Sequence, residues 1–169
     1  MLSGRDIVRW FENVGLTEPI ISTYTEMDFS ENIIYEDRAH FILYEVEPNI
    51  GHWTVLFYDR VADMPEFFDS YGYYIDEELQ FTFHKIPKLL DVIVQDGIPT
   101  MEINDICFQK EDPEVQTCGV WCCLRYLSSV RGMSKELFDK TFYNIDEDIR
   151  DGVAAIAYNA AQEYHMLDF

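Results

Sequence analysis

A chain of 169 residues, 48% hydrophobic and 15% aromatic, carries enough apolar material for one domain with a buried core, which excludes a disordered polypeptide. Its formal charge of −20 is spread along the chain rather than gathered in a tail; this argues against nucleic acid, whose phosphates need Lys and Arg, and is read equally as a surface for basic protein partners or as solubility alone. No apolar run reaches the roughly 18 residues of a membrane span, and the opening Met1-Leu2-Ser3-Gly4-Arg5-Asp6 lacks the order of a secretory signal.

The expectation is therefore a protein at work inside a cell or a particle, not secreted, with no membrane partner and with reduced cysteines. Cys107, Cys118, Cys122 and Cys123 include no Cys-x-x-Cys pair and have no histidine at finger spacing. No metal or cofactor is expected.

In chain order, Ser3 to Gly15 reads as an amphipathic helix, with Ser3 as N-cap, Asp6 three residues on and Gly15 as the stop. Two β-rich runs follow, 39–46 and 52–58, joined by the turn-like Glu47-Pro48-Asn49-Ile50-Gly51. A third, 66–69, ends in Ser70-Tyr71-Gly72, and the three make an antiparallel meander. Residues 77–94 read as a helix broken near Pro87, and 100–108 as another strand. Helices are then expected from Cys118 to about Val130, from Ser134 to Tyr143, and from Asp146 to about Tyr164. The whole is a single α+β domain over 1–169, a central and mostly antiparallel sheet with helices before and after it.

The stretch richest in chemistry is Gln109-Lys110-Glu111-Asp112-Pro113-Glu114-Val115-Gln116-Thr117-Cys118-Gly119. A polar turn runs into an apolar helix, so Cys118 stands at a helix N-terminus, where free N–H groups and the dipole favour negative charge. That is the setting of a thiolate nucleophile. Upstream lie His52, at the start of a strand after a glycine, and Asp69, at the end of the neighbouring strand. Adjacent strands are about 5 Å apart, so the two side chains can meet. A base for the thiol and an acid to orient the base are what such a nucleophile needs. His40 sits in an alternating apolar run and reads as structural, whereas His84 and His165 lack a comparable setting. Taken singly, each residue has a plain explanation, with Cys118 as a small buried hydrophobe and Asp69 as a turn former.

Gly51-His52-Trp53, then Phe68-Asp69-Ser70-Tyr71-Gly72, then Gln109 through Thr117-Cys118-Gly119 together resemble the adenain and ubiquitin-like-protein protease superfamily of cysteine proteases. The flavour is closest to maturation proteases of large DNA viruses and virophages. The likeness spans roughly residues 40–131. It implies a papain-like fold, with His52 as general base, Asp69 as its orienting acid, Cys118 as nucleophile and Gln109 as oxyanion donor. Backbone N–H groups at Cys118 and Gly119 join Gln109, and Trp53 lines the substrate groove. Gln109 stands nine residues before Cys118, farther than is usual in that superfamily, and Gln116 is a rival. The function implied is endopeptidase cleavage after glycine, most simply of viral capsid or core precursors, in host cytoplasm or virion. An enzyme releasing ubiquitin or a ubiquitin-like tag is the alternative, and a protease-derived binding protein without turnover is the alternative from another class. A basic peptide activator suits the acidic charge.

Overall fold

The computed structural model describes residues 1–83, 85–98 and 100–167. Five strands form one sheet in the order β1 (Ile20–Thr23), β2 (His40–Glu47), β3 (Ile50–Asp59), β4 (Met64–Asp69) and β5 (Glu102–Ile103). The β2–β3–β4 meander is antiparallel as expected, but both outer pairs, β1 with β2 and β4 with β5, are parallel. The sheet is therefore mixed, with the expected antiparallel meander as its larger, central part. The outer strands are short, and each is joined to its parallel neighbour by a long crossover, the connection that parallel pairing requires. The expected strand over 100–108 shrinks to Glu102–Ile103, because Asn104 turns the chain back with its amide on the carbonyls of Asp69 and Ile106.

The helices are α1 (Gly4–Asn13), α2 (Leu89–Gln95), α3 (Cys118–Val130), α4 (Lys135–Tyr143) and α5 (Glu147–Leu167), with short 3-10 turns at Tyr24–Glu26 and Glu77–Phe81. The capping box at Ser3 and Asp6 is formed on both sides, 2.8 and 3.2 Å. Among the described residues no helix is long and apolar enough to cross a membrane.

Strand alternation divides the core in two. Phe41, Leu43, Trp53, Val55, Phe57 and Phe68 face α1 and α3. Ile42, Tyr44, Leu56 and Phe67 face the other layer, built from Tyr24, Leu79, Leu89 and Ile93. On the α3 side one ionic group is wholly buried. The Arg125 guanidinium grips Glu66 through two bonds, at 2.8 and 2.6 Å, and reaches Asp59 at 3.0 Å. Ser129 donates to the second Asp59 oxygen at 2.6 Å. These bonds rivet α3 to β3 and β4.

Arg125→Leu leaves two buried carboxylates without their cation, and is expected to destabilise by about 3–5 kcal/mol. Urea unfolding checks this: a loss under 1 kcal/mol means that the carboxylates are relieved by water or protons instead.

Candidate active site

The β2–β3 hairpin crosses closely at Gly51, where a Cβ would lie 2.0 Å from the Tyr44 carbonyl oxygen. Only glycine fits there, and the next residue is His52. Asp69 pairs with Thr54, so His52 lies two residues along the same face, a diagonal neighbour within reach of a long side chain. The contact is made: His52 Nε2 and Asp69 Oδ1 are 2.9 Å apart. The same oxygen accepts the Tyr71 backbone N–H at 2.7 Å, and the Tyr71 ring stacks on the imidazole with centroids 4.6 Å apart. Burial alone pulls the imidazole pKa down. The charge and hydrogen bond of Asp69, with the thiol of Cys118, outweigh it and hold His52 well above its ordinary value.

Cys118 is the first residue of α3, as the sequence implied. Its Sγ accepts the Trp53 backbone N–H at 3.5 Å, which ties the helix tip to β3 beside His52. Nε2 of His52 is taken by Asp69, so Nδ1 is the ring nitrogen left free for the thiol of Cys118, whose proximity contributes to the raised basicity. The three residues read from the sequence are brought together.

The nine-residue step from Gln109 to Cys118 folds back on two anchors. The Gln109 amide accepts from Ser70 Oγ at 2.9 Å and donates to the Val115 carbonyl at 2.9 Å and to the Tyr71 hydroxyl at 3.1 Å. Both amide hydrogens are thus spent within the fold. Gln116 is exposed beside Cys118. The second anchor is Asp151 of α5, which accepts from Thr117 Oγ1, Trp121 Nε1 (2.8 Å) and the Lys110 N–H (2.9 Å). Asp151 was not legible as a positioning group: it sits in a charged stretch of a helix, with no local signal of its partners.

His52, Cys118, Gln109 and Gln116 open onto one groove of about 560 Å³, lined also by Ile50, Tyr71, Tyr73 and Phe81, with Glu78, Glu111 and Asp112 as acids. Trp53 does not line it. Alternation turns its side chain to the face opposite His52, where it is buried, its indole N–H donating to the Leu2 carbonyl at 2.8 Å. Leu2 and Trp53 also approach Gly119, both within 3.3 Å of where a Cβ would be, so the space freed by that glycine is filled by the chain itself.

His40 is structural, bonded to the Ile33 carbonyl and Ser22 Oγ at 3.1 and 2.9 Å. His84 and the His165 side chain lie outside the described residues. Among the described residues two groups of side chains are close enough to chelate a cation, Asp59 with Glu66 and Glu102, and His52 with Asp69 and Glu78. Arg125 fills the first, and the second is engaged in the His52–Asp69 hydrogen bond. Sequence reading missed Glu78, a buried acid 3.8 Å from His52 Nε2.

Two outcomes follow from this geometry. Burial pushes the thiols of Cys122 and Cys123 well up, and partial burial with nearby Glu111 raises that of Cys107. Limiting iodoacetamide near pH 7 should label Cys118 first, Cys107 more slowly, and the other two only after unfolding; peptide mapping that finds Cys107 first contradicts the assignment. Asp151→Ala orphans the buried Trp121 N–H and should cost about 2–3 kcal/mol in a denaturant titration.

The comparisons with known proteins bear on origin. No family model matches the chain, and no solved structure matches it. A protein of the Sputnik virophage, described as uncharacterized protein V9, is 31% identical over 139 residues, which cover 75% of either chain. Identity of that level over that span means common descent, and the chain belongs to the family of the Sputnik virophage V9 protein.

Proposed function

We propose that this protein is a cysteine endopeptidase of adenain-like, papain-like fold that matures viral capsid or core precursors. The observation that carries the reading is a buried His52–Asp69 pair at 2.9 Å that lines one groove with Cys118, the first residue of a helix whose thiol is tied to the backbone of Trp53, next to His52. A helix riding on an antiparallel meander supports the fold, and the virophage relative supports a viral role.

In this chemistry His52 Nδ1 takes the Cys118 proton while Asp69 holds Nε2–H and the charge that forms. The thiolate attacks the scissile carbonyl carbon, and the oxyanion meets the backbone N–H groups of Cys118 and Gly119, which a first helical turn leaves unpaired. His52 then gives its proton to the leaving amine, and water, deprotonated by the same ring, releases the acyl group and restores the thiol. Gln109 completes the oxyanion hole by lending the N–H that it otherwise gives to Val115; Gln116 does so if that bond holds. Cleavage after glycine belongs to the proposal on the family resemblance alone, since neither Trp53 nor Leu2 lines the groove. The acids of the groove suit substrates with basic residues near the cut.

The test is incubation of the protein with capsid precursors of a virophage and with ubiquitin-like fusions, products read by mass. Precursor cleavage that vanishes in a folded Cys118→Ala variant is expected, with His52→Ala nearly as damaging and Asp69→Asn partial. Cleavage retained in Cys118→Ala sinks the reading. Gln109→Ala should lower kcat by about 10²-fold with little change in KM. A large effect only in Gln116→Ala moves the role there, and efficient cleavage after Leu or Arg removes the glycine preference.

A further inference from the structure

One buried acid has no part in the chemistry above. The 3-10 turn Glu77–Phe81 carries Glu78 inward until it is 4% exposed, with Oε1 3.8 Å from His52 Nε2. Among the described residues that oxygen meets no hydrogen-bond donor, and neither does the buried Oδ2 of Asp69. The groups that face Glu78 are His52 from β3, Asp69 from the end of β4, Tyr71 and Tyr73 from the loop between, and Glu77 on its own turn. Only His52 among them can bear positive charge.

We propose that Glu78 is a positioning residue, a second carboxylate that holds the His52 imidazolium beside Asp69 and stands in as acceptor of its Nε2–H when Asp69 cannot. The argument is one of electrostatic accounting. A carboxylate at the floor of the groove, with one oxygen buried and unpartnered and no Lys or Arg beside it among the described residues, is favoured as a neutral acid or beside an opposite charge. His52 is that charge whenever it is protonated. At 3.8 Å Glu78 gives field rather than a hydrogen bond, which Asp69 keeps at 2.9 Å. The field has a sign and a pH window. Burial first, then repulsion from Asp69 and Glu77, pushes the carboxyl up to about 7, against the pull of His52. Above that pH Glu78 is an anion and favours the imidazolium; below it the group is neutral and Asp69 acts alone. The inference rests on the proposed reaction only in that His52 is its base.

The experiment is a nitrogen-15 NMR titration of the His52 ring in the full chain, as wild type and as Glu78→Gln, beside the pH profile of kcat/KM. Glu78→Gln keeps the shape and removes the charge, and should lower the His52 titration by about one pH unit, with the alkaline limb of activity moving the same way. Glu78→Gln should also cost more in an Asp69→Asn background than in wild type, since there it removes the remaining acceptor. An unchanged His52 titration, or equal cost in both backgrounds, overturns the proposal. Should Glu78→Gln fail to fold, the wild-type curve decides: a second inflection near pH 7 is expected, and its absence is fatal. The NMR readout needs no substrate, so a shifted titration in a protein that cuts nothing refutes the peptidase reading and leaves the Glu78 assignment standing.

Discussion

The seat of α3 on β3 is the constraint on which everything else depends. At one end the Arg125 guanidinium is buried between Asp59 and Glu66, and at the other the Trp53 backbone is bonded to two cysteines of the helix, giving its N–H to Cys118 Sγ and accepting from Cys122 Sγ. The two ends are about two helical turns apart. A helix held at both ends can neither slide nor rotate on the sheet without breaking a buried contact. The thiol at its tip therefore keeps one position relative to the imidazole at the start of β3. Stability and site geometry are coupled here, since the bonds that hold the layers together also set the distance between the Cys118 thiol and the His52 imidazole.

Around this seat the polar groups divide into those fully satisfied and those left wanting. Gln109 and Asp151 have their hydrogen-bonding capacity used by Ser70, Tyr71 and Val115 in one case, and by Thr117, Trp121 and Lys110 in the other. They behave as struts of the loop that presents Cys118. The His52 surroundings are short of donors instead: two carboxyl groups face one ring N–H. Buried polar shortages are costly, and two of them, Asp69 Oδ2 and Glu78 Oε1, lie beside His52.

Much of this was legible in the sequence because it is encoded locally. The Ser3–Asp6 cap, the helix start at Cys118 and the strand ends at His52 and Asp69 each follow from a few adjacent residues. What escaped depends on partners far along the chain. Arg125 in an otherwise apolar helix was a signal that buried acids must lie opposite, but nothing nearby says which ones. Glu78 lies in Asp76-Glu77-Glu78, a run that reads as solvated until the turn is seen to rotate its last member inward. Asp151 is one acid among several at the start of α5. The parallel outer strands were hidden too, because β1 and β5 are only four and two residues long. Trp53 is instructive in another way: alternation along a strand already places it opposite His52, and the structure follows that rule rather than the family resemblance.

The bond between the Trp53 indole and the Leu2 carbonyl has an architectural consequence. One flank of the groove is built from the sheet and the loops tied to it, while the other borrows Met1 and is braced by Leu2 against Gly119. His52, Asp69 and Cys118 are held by other elements. Changes in the first two residues can therefore redraw the outline of the groove while those three side chains keep their spacing. In this architecture, the shape of the groove and the arrangement of its polar centre are free to evolve on separate parts.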